Sequence, residues 1–341
     1  MLPSGCPNYG NINLKDIFGQ GMVGMKRVLR FSKIMLMLTI LFTLAACSEE
    51  EKSSKEKQVE EKIAYSFEHP ETKQKYKVVH AYKLYTSLID QLEKNQEDAG
   101  EVYQNNIIKK VYNTCFEGGE YLHMVDNLLK WSPENSDSIK KVLNEIDEEK
   151  TNVAIKDALL KSSDFLPSEE ETAVCVFPSH PGNENTMVAA GAGKIIVFYN
   201  EFYTEDMIRA GIAHEYHHSI WTEQHLEKYI SFSVLDNLIF EGKAVMFEKL
   251  VYPNITFSQV DPSFNKTFWA KVEGDLDTYD LNRSLEILMG GQALPRHYGY
   301  SEGYKMVDSY LKLHPDTTPE EWTALSAEEI FQEGQYLKNY Q

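Results

Sequence analysis

The sequence predicts an α+β fold, predominantly helical, with one small sheet placed just ahead of a long helix. Three observations carry this. From residue 77 onward, apolar residues recur every three to four positions through most of the chain. That rhythm breaks near residue 172, where TAVCVFP (172–178), MVAAGAG (187–193) and KIIVFYN (194–200) are short strand-like runs punctuated by Pro, Gly and Asn. From about residue 204 the helical period returns and holds nearly to the end.

The amino-terminal region has the features of an address. Residues 25–33, MKRVLRFSK, are basic, and residues 34–46, IMLMLTILFTLAA, are apolar throughout. That run is too short for an ordinary spanning helix and has the length of a signal-peptide core. It ends in Leu44-Ala45-Ala46-Cys47, similar to the lipobox of bacterial lipoproteins. The resemblance implies that Cys47 takes a diacylglycerol and anchors the protein on the extracytoplasmic face of the cell membrane. Residues 1–21 fit no signal peptide, so the expected start is Met22 or Met25. Residues 48–62, SEEEKSSKEKQVEEK, are almost wholly polar and are expected to form a disordered tether. The expected organisation is thus a signal peptide with a spurious start (1–46), lipidated Cys47 with its tether (47–63), a helical part (64–166) and a chemistry-bearing part (167–341).

In the helical part, KVVHAYKLYTSLIDQLEK (77–94), EVYQNNIIKKVYNTCF (101–116) and DSIKKVLNEID (137–147) are amphipathic. His80 and His123 in this region are expected at the surface or in the core, not as ligands. With Cys6 and Cys47 set aside, Cys115 and Cys175 remain. Two cysteines are no framework, and separate buried thiols are expected, with pairing left open. In the strand region, Gly191 and Gly193 allow a close backbone approach or mark a bulge. Late in the chain, Thr318-Pro319-Glu320-Glu321 and Ser326-Ala327-Glu328-Glu329 have the pattern of capping boxes. The formal net charge is −18; the first 46 residues carry +4, so the remainder carries −22. With no basic stripe to interrupt that surface, nucleic acid is excluded as a partner.

The long helix holds the chemistry. Thr204 can cap it, and Glu205 and Asp206 suit its positive end. TEDMIRAGIAHEYHHSIWTEQ (204–224) then runs without proline through His214-Glu215-Tyr216-His217-His218, an H-E-x-x-H pattern. On a helix, His214 and His218 stand one turn apart on one face, where two imidazoles can grip one tetrahedral ion. Glu215 lies about 100° round the helix, beside the ion without ligating it. A third ligand is needed. The metzincin arrangement requires Gly at 221 and His at 224, where this chain has Trp221 and Gln224, and His225 is one place out of register. His217 breaks the i, i+4 relation. The remaining option is Glu241 in SFSVLDNLIFEGKAVMFEKLV (231–251), with 22 residues between it and His218.

HEYHH followed by IFEGKAVMFE resembles the gluzincin class of zinc peptidases, whose third ligand is a Glu on the next helix. More narrowly, it is similar to a bacterial family of predicted zinc-dependent proteases, formerly a domain of unknown function. GAGKIIVFYN and RHYGYSEGYKMVDSYLKLHP add to the likeness, which covers roughly residues 77–335. The resemblance implies a zincin-like metallopeptidase fold and one zinc ion per chain on His214, His218 and Glu241. It further implies a peptide or protein substrate, hydrolysed by a zinc-activated water with Glu215 as general base. One departure stands out. Thermolysin-like gluzincins place a carboxylate four residues after the Glu ligand to orient the first histidine, and here that position is Val245. The orienting acceptor is expected from Asp236, Glu248 or a backbone carbonyl.

A donor for the oxyanion is expected from His297, Tyr298, Tyr300 or Tyr304, with Tyr300 or His297 preferred. The KIIVFYN strand is expected to offer its edge to an extended peptide. The competing reading is a non-catalytic extracytoplasmic lipoprotein, with a structural zinc or an inactive protease fold, that binds a ligand or partner. Glu215 speaks against it, because a structural zinc clamp has no use for that carboxylate.

Overall fold

The computed structural model describes residues 62–94, 98–131, 137–180, 186–229, 231–291 and 293–340. The signal segment, Cys47 and all but the end of the tether lie outside these residues. Among the described residues, no helix is long and apolar enough to cross a membrane.

Five strands form one mixed sheet in the order β1-β2-β3-β5-β4: β1 (Ala64–Glu68), β2 (Lys75–Val79), β3 (Thr172–Pro178), β4 (Met187–Gly191) and β5 (Lys194–Tyr199). β3 is parallel to both β2 and β5, while the outer pairs β1/β2 and β4/β5 are antiparallel. The continuous apolar run TAVCVFP follows from this central place, since both faces of β3 are covered. Cys175 and Phe177 pack under α1 (Tyr85–Lys94) and α2 (Lys109–Cys115). Val174 and Val176 face the opposite layer, α3 (Glu148–Phe165) and α4 (Glu205–His225).

Three expectations are corrected here. The segment 77–94 is not helical from its start: Lys77–Val79 belong to β2, and a 3-10 turn (Ala81–Leu84) precedes α1. The valines pair with β3, Val78 beside Val174 and Val79 beside Cys175, and this tertiary pairing overrides the local period. The part before residue 167 therefore supplies two strands to the same sheet. β5 has no free edge, because β3 and β4 bond to its two sides; the outer strand is β4. Cys115 and Cys175 are not separate thiols but a disulfide joining α2 to β3. Packing of α2 on this face of the sheet brings their Cα atoms within 6.0 Å, a proximity that 60 residues of separation hide.

Beyond the sheet a third core gathers α5 (Val234–Val251), α6 (Leu281–Met289), α7 (Tyr298–Leu313) and α9 (Ala327–Glu333), with α8 (Pro319–Ala324) beside α4. Both late capping boxes form, Thr318 with Glu321 and Ser326 with Glu329. α5 and α7 cross with almost no space between backbones. A Cβ on Gly242 would lie 2.1 Å from the Gly303 carbonyl carbon, and one on Gly303 would lie 1.8 Å from the Leu238 oxygen. No side chain fits at either position.

Candidate metal centre

Helix α4 begins where expected: Thr204 Oγ1 accepts from the Met207 N–H at 3.1 Å, with Glu205 and Asp206 in the first turn. α5 begins on a full capping box, in which the Ser233 hydroxyl accepts from the Asp236 N–H and the Asp236 carboxylate accepts from the Ser233 N–H. These two starts fix the register in which the helices meet.

At the meeting point three side chains converge. His214 Nε2 lies 3.2 Å from His218 Nε2 and 3.4 Å from Glu241 Oε2, and His218 Nε2 lies 3.2 Å from the same oxygen. Zinc bound at about 2.0–2.1 Å in tetrahedral geometry needs its ligand atoms about 3.3–3.4 Å apart. The triangle is therefore already the face of a coordination tetrahedron, and two imidazoles with one carboxylate are a donor set that zinc accepts.

The electrostatics agree. Burial opposes ionisation of Glu241, but His218 and His214 outweigh it and hold its carboxyl at about 2. For His214 burial opposes the charge, and the neighbouring carboxylates of Glu241, Glu248 and Glu215 overcome it, drawing the imidazole well above its ordinary value. Three carboxylates, Glu215, Glu241 and Glu248, thus crowd two largely buried histidines, and the raised His214 pKa marks a place that favours positive charge, which a divalent cation could supply instead of the proton.

Glu215 stands beside the triangle and not in it. One of its oxygens accepts from the Ala189 N–H of β4 at 2.7 Å, and only 8% of the residue is exposed. Burial raises its pKa, the nearby histidines temper the rise and Glu241 adds to it.

Of the expected orienting groups, Glu248 is the one at the site. It follows Glu241 by seven residues, two turns on the same face of α5, and is fully buried. One oxygen accepts from the Phe257 and Ser258 N–H groups at 3.1 and 3.0 Å, and the other lies 3.6 Å from His214 Nδ1. Asp236 is occupied at the helix cap by Ser233. His218 is held instead by the Phe240 ring, stacked 4.2 Å from its own.

The late aromatic segment divides. Tyr300 comes to the centre, its ring 6.4 Å from that of His214; burial, then Glu241 and Glu215, push its hydroxyl pKa well up, so it stays protonated. His297 lies one ring farther out, 5.7 Å from Tyr300, as the left-handed N-cap of α7. Tyr298 packs in the third core against Phe268, and Tyr304 lies under Lys249, so neither joins the cluster.

Two residues of the EGKA motif have roles that the sequence reading missed. Gly242 permits the close crossing with α7. Lys243 is buried and donates to the Thr323 and Leu325 carbonyls at the end of α8, and burial lowers its pKa to about 7. A lysine inside an apolar helical run was the available signal.

A family model described as "Predicted Zn-dependent protease (DUF2268)" matches residues 151–332, a span that includes α4, α5 and the whole converging triangle. No curated protein and no solved structure matches the chain.

Proposed function

The chain belongs to the family of predicted Zn-dependent proteases, and from that premise we propose that it is a zinc metallopeptidase with Glu215 as its general base. The observation that carries the reading is the convergence of His214, His218 and Glu241 to within 3.4 Å, with an unligated carboxylate on the residue next to His214. Held by His214, His218 and Glu241, zinc would supply a Lewis acid and would lower the pKa of a water bound to it.

Glu215 handles the proton. The Ala189 N–H fixes one oxygen of its carboxylate, and the other takes the proton of the attacking water. Its raised pKa suits it to pass that proton on to the leaving amine. The Tyr300 hydroxyl, kept protonated by its surroundings, is the donor for the oxyanion, and His297 packs against its ring to position it. The substrate lies along the outer edge of β4 as an added strand.

Glu215→Gln tests this directly. Zinc content is expected to stay at one per chain while hydrolysis of a peptide library falls by about 10²–10⁴-fold; undiminished turnover would reject the assignment. The reading includes a lipid anchor at Cys47 on the extracytoplasmic face. The Cys115–Cys175 disulfide supports an oxidising compartment. In a bacterial host, Cys47→Ser is expected to move the protein from the membrane to the soluble fraction, and a variant that stays in the membrane would reject the anchor.

A further inference from the structure

We infer that the protein trims peptides from their amino terminus, because one end of the β4 edge beside Glu215 is walled off. This rests on the peptidase reading above. β4 and α4 run alongside each other past the site. Near its start, Met187 packs on Gly211, where an added Cβ would lie 2.6 Å from its sulfur. The Ala189 N–H then binds Glu215, and the Gly193 N–H binds Ser219 Oγ at 2.8 Å. A chain paired with the outer edge of β4 thus meets the catalytic carboxylate opposite Ala189.

One residue farther on, that edge is taken. The Tyr121 N–H donates to the Ala190 carbonyl at 3.0 Å, and the Glu120 carboxylate accepts from the Ala192 N–H at 2.9 Å. Gly119 presses so closely that an added Cβ would lie 2.6 Å from the Ala190 oxygen. The wall is braced at both ends. The Cys115–Cys175 disulfide pins the helix that leads into it. Thr222 Oγ1 donates to the Tyr121 hydroxyl at 3.1 Å, one turn beyond His218. The Tyr121 ring also lies 6.5 Å from Phe240, the ring that stacks on His218. The closed end therefore abuts the metal ligands themselves.

A strand added antiparallel to β4, as β5 already is, carries its amino end toward Ala190. It has space for only one or two residues between Glu215 and the wall. The bond hydrolysed is then the first or second from the amino terminus: water oxygen joins the carbonyl carbon, the C–N bond breaks, and Glu215 passes the water proton to the departing amine. The products are a free amino acid or dipeptide and the shortened chain.

The experiment uses the zinc-loaded protein and a panel of ten-residue peptides, with cut positions mapped by mass spectrometry. First cuts are expected at the first or second bond from the amino end. Peptides whose amino end is fused to a small folded protein are expected to resist by about tenfold or more, while the same fusion at the carboxyl end is tolerated. Calorimetric binding to zinc-loaded Glu215→Gln gives a second readout: residues added on the carboxyl side of the scissile bond should strengthen binding, and those added on the amino side should not. Cuts spread through the peptide interior, or trimming from the carboxyl end, overturn the inference and leave the peptidase reading intact. One-ended binding without any cleavage supports the closed end and rejects the peptidase reading. Absence of both binding and cleavage overturns both.

Discussion

Helix α4 presents histidine to two different environments at adjacent positions. His218 joins His214 on the face turned to α5, within reach of Glu241 and stacked on Phe240. His217, one residue earlier, lies outside that cluster and is fully buried between Phe247 and Trp322, both rings 5.5 Å distant and that of Trp322 nearly parallel, with Nε2 3.3 Å from Thr323 Oγ1. Burial, helped by the charges of His218 and Lys243, drives the His217 pKa well down. On the ligand face the opposite happens, because carboxylates outweigh the same burial at His214. Residue type and helix are shared; what separates the clustered histidines from the packing one is the company of acids.

The sharpest way to break this contrast is to remove an acid from the ligand face. Glu241→Ala is expected to lower bound zinc from one per chain to nearly none, while His217→Leu keeps it; undiminished zinc in Glu241→Ala, by elemental analysis, would reject the ligand assignment. Glu248→Gln asks whether the orienting acid matters. Loss of its charge beside His214 is expected to weaken zinc by about 10–100-fold in chelator competition, with the melting of the zinc-free protein little changed. Equal affinity in that variant would leave Glu248 a merely structural anchor for the Phe257–Ser258 turn. On the other face, His217→Leu is expected to cost about 1–2 kcal/mol of stability by stranding the Thr323 hydroxyl and losing the ring stack. A change in zinc affinity there instead would dissolve the distinction between the faces.

The smallest effect is in pH. His80 and His225 both lie buried and neutral, their pKa values lowered chiefly by burial, that of His225 to about 4. Below the ordinary value of about 6.5 the unfolded chain takes up their protons before the folded one does, so stability is present above that pH and lost as pH falls toward 4. Replacing His225 with Gln is expected to flatten part of that acid slope in a melting series between pH 7 and pH 4. An unaltered slope would assign it to other groups.

Much of the site was legible because its grammar is local. The four-residue spacing of His214 and His218 fixes their shared face, and Thr204 and Ser233 set the helix starts. Glu241 could be named because the following segment kept a helical period through it. Choosing Glu248 over Asp236 needed the fold: Asp236 looks equally available until Ser233 claims it, and Glu248 reaches His214 only once α5 packs on α4. The strand in 75–79, the pairing of Cys115 with Cys175 and the interior place of β5 escaped for a common reason. Each depends on a partner distant in sequence, and alternation or spacing within a short window carries no trace of that partner.

The crossing at Gly242 and Gly303 has a consequence for how the centre tolerates change. The distance between α5 and α7 is set by bare backbone on both sides, so Glu241 and Tyr300 are gauged against each other by two hydrogens. A single methyl at either position acts as a wedge driven between Glu241 and Tyr300, and it alters the candidate centre without touching the carboxylate or the hydroxyl themselves.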